Sequence, residues 1–426
     1  MKKLTCLLAA ALLAAGLLLA PTPAPAADKI VIGVSTSLNF LEGKESYNAV
    51  QLAVEEINAK GGVKVGGKKL PFAIESIDIR DAAPGVPVPE ALLGMEKLIL
   101  EKKPHALVVG PFRSEALLAG MDMLAKHKVP LLGTIAMSPK SEAMIAKDPK
   151  YKYVFRVSLD AKFFVGYIAG VMGFLGKEFG YNKVYIMNQD VAWARATADI
   201  MAKIFAGKLK WQVVGHETFP TGAKDFAPAL MKAKMKGAQV IMPVFDMPES
   251  GILIKQWKSM KVPALMAGFI SPLAGPGAWK TFGGKIDGIL NAVFELGNIA
   301  AVKYPMSRSF FRAYKKKFGK EIESGHGPAP SYESVYLLKA AIEKAGSLDP
   351  DAIVAALEKT DVKGVMGRVK FTKGHQVIFG NDPSKESLGC FFQWSPKGER
   401  IIVYPPAVAE GKIWLPSWVK PGMKKK

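Results

Sequence analysis

From Ile30 onward, short runs of apolar residues alternate with longer stretches in which apolar positions recur every three or four residues. Ile30-Val31-Ile32-Gly33-Val34 is continuously apolar, the pattern of a strand covered on both faces. In 47–58 the residues Ala49, Ala53 and Ile57 fall four apart on one helical face, and Gly61-Gly62 ends that helix. The same reading predicts a strand over 71–79, a helix over 90–103 stopped by Pro104, and a buried strand over 106–110. A helix over 114–126 and a strand over 129–134 follow. Such alternation predicts β-α-β crossovers and a parallel sheet clothed on both sides.

A second series begins at Lys183, with strands over 184–187, 213–214, 240–244 and 264–267. Helices over 193–205, 226–236 and 249–260 lie between them. The alternation of Tyr151, Tyr153, Phe155 and Val157 makes 151–160 an extended connection between two lobes. After Gly288 a single strand over 289–294 precedes helices over 309–318, 331–345 and 351–358. These helices lack strands for a lobe of their own and are expected to pack back onto the first. The lobes would then be joined by hinge segments crossed more than once, with a cleft between them.

Ahead of this pattern, Lys2 and Lys3 precede an apolar stretch over 4–20 and a run containing Ala24-Pro25-Ala26. That is the make-up of a cleaved secretory signal over 1–26, and the protein is expected to be exported. Beyond it no run approaches the ~20 apolar residues needed to cross a bilayer. Cys6 lies at the start of the apolar stretch and not after it, which argues against a lipid-bearing cysteine. After cleavage Cys390 is the one cysteine left; beside Gly389, Phe391 and Phe392 it reads as a buried, small apolar residue.

Charge raises the question of a nucleic-acid partner: the chain of 426 residues carries a net charge of +21. Of the basic residues 50 are lysine and 8 arginine, whereas bidentate recognition of phosphates and base edges favours arginine. The excess is read as solvated surface, and no nucleic-acid partner is expected. Catalytic patterns fail as well. Gly62 to Lys68 imitates the start of a phosphate-binding loop, but Lys69 stands where Ser or Thr is required, so a tight turn is the preferred reading. The five histidines lack metal-ligand spacing, and no G-x-S-x-G elbow is present. The chain is therefore not expected to be an enzyme or to hold a metal or cofactor.

The run Tyr47-Asn48-Ala49-Val50-Gln51-Leu52-Ala53 leading into Ile57-Asn58-Ala59-Lys60-Gly61-Gly62 resembles the opening of the leucine/isoleucine/valine-binding family. The likeness continues through Val108-Val109-Gly110-Pro111, Val129-Pro130-Leu131-Leu132, Ser138-Pro139, Asp225-Phe226 and 389–394. It implies the type I periplasmic binding protein fold: two doubly wound α/β lobes joined by a three-crossover hinge. On that basis 27–155 plus 292–366 would form the ligand-binding N-terminal lobe, 156–291 plus 367–404 the second lobe, and 405–426 a lysine-rich tail. The function implied is capture of a small carboxylate, foremost a branched-chain or other apolar amino acid, for an ABC permease, by a monomer.

Carried over by position, Ser114 matches a hydroxyl that holds the ligand carboxylate, and the helix start there offers free N–H groups to an anion; Ser114 would alternatively be a plain helix cap. Arg113 would add a charge-assisted donor. Ala136, Met137 and Ser138 match the next binding loop, and Trp193 an aromatic covering the ligand from the second lobe. Amino-acid members place an acid where Phe269 stands; Asp246 could take its role toward an ammonium. With Phe112, Met137, Trp193, Phe245 and Phe269, the cleft would be apolar enough for an aromatic or aliphatic carboxylate or amide without an α-amine.

Overall fold

A computed structural model describes residues 28–422; the expected signal segment and Lys424 to Lys426 lie outside them. Chain order begins with β1 (Ile30–Thr36), buried along its whole length, and α1 (Leu41–Ala59). The hairpin of β2 (Val63–Val65) and β3 (Lys68–Leu70) turns on Gly66 and Gly67, both at positive φ, so the Gly-Lys run is a tight turn. There follow β4 (Phe72–Asp78), α2 (Val88–Lys102), β5 (Ala106–Val109), α3 (Ser114–His127), β6 (Leu131–Gly133), α4 (Lys140–Lys147) and β7 (Val154–Arg156). The predicted connection over 151–160 thus contains a strand that completes the first sheet.

The chain then enters the second lobe through α5 (Ala161–Phe179), which the sequence pattern did not reveal. Its apolar residues run nearly all the way round, interrupted by Gly166, Gly170, Gly173 and Gly176, so no single face stands out. The rest of the alternation is β8 (Lys183–Gln189), α6 (Ala192–Ile204), β9 (Gln212–Phe219), α7 (Ala227–Met235), β10 (Val240–Phe245), α8 (Gly251–Ser259), β11 (Leu265–Ile270), the short α9 (Ala278–Thr281) and β12 (Leu290–Val293). Next come α10 (Pro305–Phe318), α11 (Pro328–Ala345) and α12 (Pro350–Leu357); α11 packs along α1, returning this block to the first lobe. The small hairpin β13 (Asp361–Gly364) and β14 (Gly367–Lys370) and the antiparallel pair β15 (Cys390–Trp394) and β16 (Arg400–Tyr404) complete the elements.

Among the described residues two large sheets result, ordered β4-β1-β5-β6-β7 and β16-β15-β12-β11-β10-β8-β9. The first is parallel throughout. In the second, β8 to β12 are parallel and β15 and β16 are added antiparallel at one edge. Counted from its own first strand, each lobe has the order 2-1-3-4-5, the doubly wound arrangement. The chain passes between the lobes after β7, after β12 and before β15. These passages are stitched together: Leu159 N donates to Glu295 Oε1 at 3.1 Å and Gln376 Nε2 to the Ser158 carbonyl at 2.9 Å. Cys390 is buried and unpaired, and burial pushes its thiol up, away from reactivity. The C-terminal segment lies on the second lobe as far as Gly422, whose N–H donates to the Phe179 carbonyl.

Candidate functional site

In a doubly wound sheet, ligands bind beyond the carboxyl ends of the strands, where the chain leaves strands 1 and 3 in opposite directions. In the first lobe that point lies between β1 and β5, and in the second between β8 and β10. The segments leaving these four strands carry Glu42, Arg113 with Ser114, Gln189 to Trp193, and Asp246. Together they border two adjoining hollows. The outer is lined by Phe40, Arg113, Ser114, Asp190, Trp193, Asp246 and neighbours. The inner, at about 10 Å³ little more than room for one water molecule in this closed form, is lined by Glu42, Phe112, Ile135, Met137, Trp193, Asp246, Phe269, Phe294 and His326.

The first-lobe rim is braced by Asp81. Its carboxylate accepts from Ser37 Oγ at 2.8 Å and from Arg113 N at 2.7 Å, tying the loops after β1, β4 and β5 together. Val109 at the end of β5 has φ +77°, a conformation rarely adopted by a β-branched residue, and Gly110 follows at +70°. This turn throws Phe112 to Ser114 into the cleft. Ser114 is the first residue of α3, with Arg113 in the cap position and no side-chain cap. The Ser114 hydroxyl instead accepts from Met137 N at 3.1 Å and Ser138 N at 3.0 Å, holding the loop after β6. Arg113 Nη2 donates to the Val86 carbonyl at 2.7 Å, while its buried Nε has no partner among the described residues.

From the second lobe, Trp193 Nε1 donates to Asp246 Oδ2 at 2.7 Å. Gln189 Oε1 accepts from Asp246 N and Met247 N, fixing the turn after β10. Phe269 lies 4.2 Å from Phe294 between ring centres, and Trp193 stands edge-on to both near 6 Å. The result is an aromatic wall.

Charge in the inner hollow is mostly negative. Burial pushes the Glu42 carboxyl up to about 7, against the hydrogen bond it accepts from Ser271 Oγ, and the nearby Asp246 charge adds to the rise. Asp246 is raised as well, chiefly by burial. His326 donates from Nε2 to the Ile135 carbonyl at 2.7 Å and faces Glu295 through Nδ1 at 3.0 Å. Burial disfavours its charge, but the Glu295 carboxylate and these hydrogen bonds outweigh it and raise the imidazole.

Of the residues singled out in the sequence, Arg113, Ser114, Met137, Trp193, Asp246 and Phe269 border the two hollows. Ser138 stands behind them as a partner of Ser114. Ala136 points away, into the first-lobe cluster with Leu117 and Ile145. Phe245 is also turned from the cleft, contrary to the apolar lining expected of it. It packs against Phe219 and Phe226 in the second lobe, because its neighbour Asp246 takes the cleft side. Glu42, Phe294 and His326 were not anticipated. The signal that could have found Glu42 is its place directly after the first strand, at the switch point.

Facing lobes and a closed, aromatic-walled cleft at both switch points define a two-lobed solute receptor of the periplasmic binding type. The chain belongs to the periplasmic binding protein family, whose profile matches residues 31–380. The Leu/Ile/Val-binding protein homolog 8 of Brucella melitensis is 24% identical over 390 residues, covering 89% of this chain and 90% of that one. Among solved structures, the branched-chain amino acid substrate-binding protein LivJ of Streptococcus pneumoniae, in complex with isoleucine, superimposes with a TM-score of 0.72 at 24% identity. It covers 88% of this chain and 100% of its own. A solute-binding protein from R. palustris, in complex with benzoate, gives 0.72 at 15% identity, covering 92% and 99%. The protein is thus a member of the periplasmic binding protein family, as the opening residues implied. No helix among the described residues is long and apolar enough to cross a membrane.

Proposed function

We propose that the protein, exported to the periplasm by cleavage of residues 1–26, captures a small amino acid with an apolar side chain and delivers it to its membrane permease. The observation that carries this reading is the inner hollow. Aromatic and aliphatic side chains give it an apolar body, and Asp246 supplies a carboxylate for an ammonium. Arg113 at the outer hollow, with an unpaired buried N–H, and Ser114 beside it suit a carboxylate at the other end. Closure of the hinge seals the solute, and binding energy is gained only in the closed form. The relative solved with isoleucine supports this class of solute.

A second reading, an aromatic or aliphatic carboxylate without an amine, is favoured by Phe269 at a position where amino-acid members carry an acid, and by the relative solved with benzoate. A thermal-shift screen of the exported chain against apolar amino acids, aromatic acids and amides decides between the two. A solute at a hundred times its dissociation constant should stabilise the protein by about 2.7 kcal/mol. A flat response to the whole panel would remove the receptor reading.

A further inference from the structure

The charge in the inner hollow goes beyond what a zwitterion requires, and the inference below rests on reading this cleft as the solute site. Two carboxylates border the hollow, Glu42 from the first turn of α1 and Asp246 from the end of β10, so they face it from opposite lobes. Glu42 is 3% exposed, and no charged nitrogen among the described residues lies within ion-pair distance of either carboxylate. Neutral donors alone hold them: Ser271 Oγ reaches Glu42 Oε1, and Trp193 Nε1 reaches Asp246 Oδ2. Glu42 Oε2 accepts no hydrogen bond from any other described residue. The imidazole at the border, His326, is near enough for its charge to favour both carboxylates, but both its ring nitrogens are already engaged by Glu295 and the Ile135 carbonyl.

Buried carboxylates without a counter-charge are costly unless a partner arrives. The remaining wall is made of ring faces and edges from Phe112, Trp193, Phe269 and Phe294, an environment that attracts a cation through the aromatic quadrupole. Arg113, the donor available to an anion, sits in the outer hollow and already donates to the Val86 carbonyl.

We propose that Glu42 and Asp246 form a clamp that grips a protonated amine of the solute from both lobes, so that the amine and a compact apolar body are the determinants of recognition and the carboxylate is secondary. Because the two acids converge only when the cleft is shut, an amine between them favours the closed form specifically.

Isothermal titration calorimetry of the full exported chain tests this with three matched pairs of probes: leucine and phenylalanine, then 3-methylbutylamine and 2-phenylethylamine, then 4-methylpentanoate and 3-phenylpropanoate. The same titrations are made on Glu42→Gln and Asp246→Asn. The clamp predicts that the amines bind within tenfold of the amino acids, that the acids bind at least a hundredfold more weakly, and that Glu42→Gln weakens every amine-bearing probe at least tenfold. Ligand-free Glu42→Gln should melt no lower than the parent, since it loses an uncompensated buried charge. An acid lacking the amine that binds as tightly as its amino acid, or a Gln variant with full affinity, would overturn the clamp while leaving the receptor reading standing. A Gln variant that melts lower would reassign Glu42 to a structural role and overturn it too. Absence of binding by all six probes would remove the receptor reading, and the clamp with it.

Discussion

At Ser114 the hydroxyl is occupied by two backbone N–H groups of the adjoining loop, those of Met137 and Ser138. Replacing Ser114 by Ala leaves both buried donors unpaired, at about 1–3 kcal/mol each when nothing replaces the acceptor. Ser114→Ala is therefore expected to lower the urea midpoint of the ligand-free protein by an amount equal to about 2–6 kcal/mol. An unchanged midpoint would show that the loop stands without it. A second residue sets part of the pH dependence. Glu333 in α11 is buried, accepts from Val365 N at 2.7 Å, and is pushed up to about 7 by burial against that hydrogen bond. Its folded pKa lies above the ordinary value near 4.5, so the folded state binds the extra proton. The stability it contributes is whole below about pH 4.5 and is lost as pH rises through 7, on the order of 3 kcal/mol at most. Glu42 and Glu45 act in the same direction. The ligand-free protein should melt higher at pH 5 than at pH 8, and Glu333→Gln should narrow that gap by raising the pH 8 value. Family likeness made Trp193 and Asp246 legible in the sequence. Glu42 was not, because an acid in the first turn of a helix reads as a solvated partner of the helix dipole. Only its position beyond β1 turns it inward.

Among the elements, α1 shows how backbone placement governs the site. Gly43, next to Glu42, lies so close to the Ser37 carbonyl oxygen that an added Cβ would clash with it. Gly43→Ala would push the start of α1 off the loop after β1 and carry Glu42 out of the hollow. It should cost about 2 kcal/mol, visible as a melting point lower by several degrees, together with loss of affinity for any amine-bearing solute. Gly166→Ala in α5 is the control: nothing lies within contact of its added Cβ, and the helix should gain up to about 1 kcal/mol. Equal melting points for the two variants would refute the close-packing account. The parallel strands and their crossover helices were legible because each strand is a continuous apolar run bounded by a periodic helix. The pair β15 and β16 lies at the edge of the second sheet after a long irregular segment, and no local pattern joins it to β12 across nearly a hundred residues. The helix α5 escaped for the opposite reason, being apolar on too many sides for its period to show.

For the molecule as a whole, the polar contacts that bridge the lobes include Gly277 N donating to the Glu323 carboxylate at 2.9 Å. Besides Glu42 with Ser271, they include Glu115 Oε1 accepting from Ala192 N at 3.1 Å and lying 3.8 Å from Arg195 Nη2. Glu115 and Arg195 are more than a third exposed, where an ion pair is worth about 0–1 kcal/mol and is weakened by salt. Against them stand the uncompensated carboxylates of the inner hollow, which disfavour closure while no solute is present. Open and closed forms should therefore lie within a few kcal/mol of each other, and the solute should decide between them by its affinity for the closed one. Small-angle scattering of the ligand-free protein is expected to give a radius of gyration larger than that calculated for the closed structure, contracting when the best-binding probe is added. Glu115→Ala removes a closing contact at the border of the outer hollow, apart from Glu42 and Asp246 in the inner one. It should weaken every solute by the same factor, several-fold at most, because it lowers the closed population without altering the inner hollow. A change in the ranking of solutes would place Glu115 in recognition itself, and an unchanged radius of gyration on binding would mean that the hinge does not close around the solute.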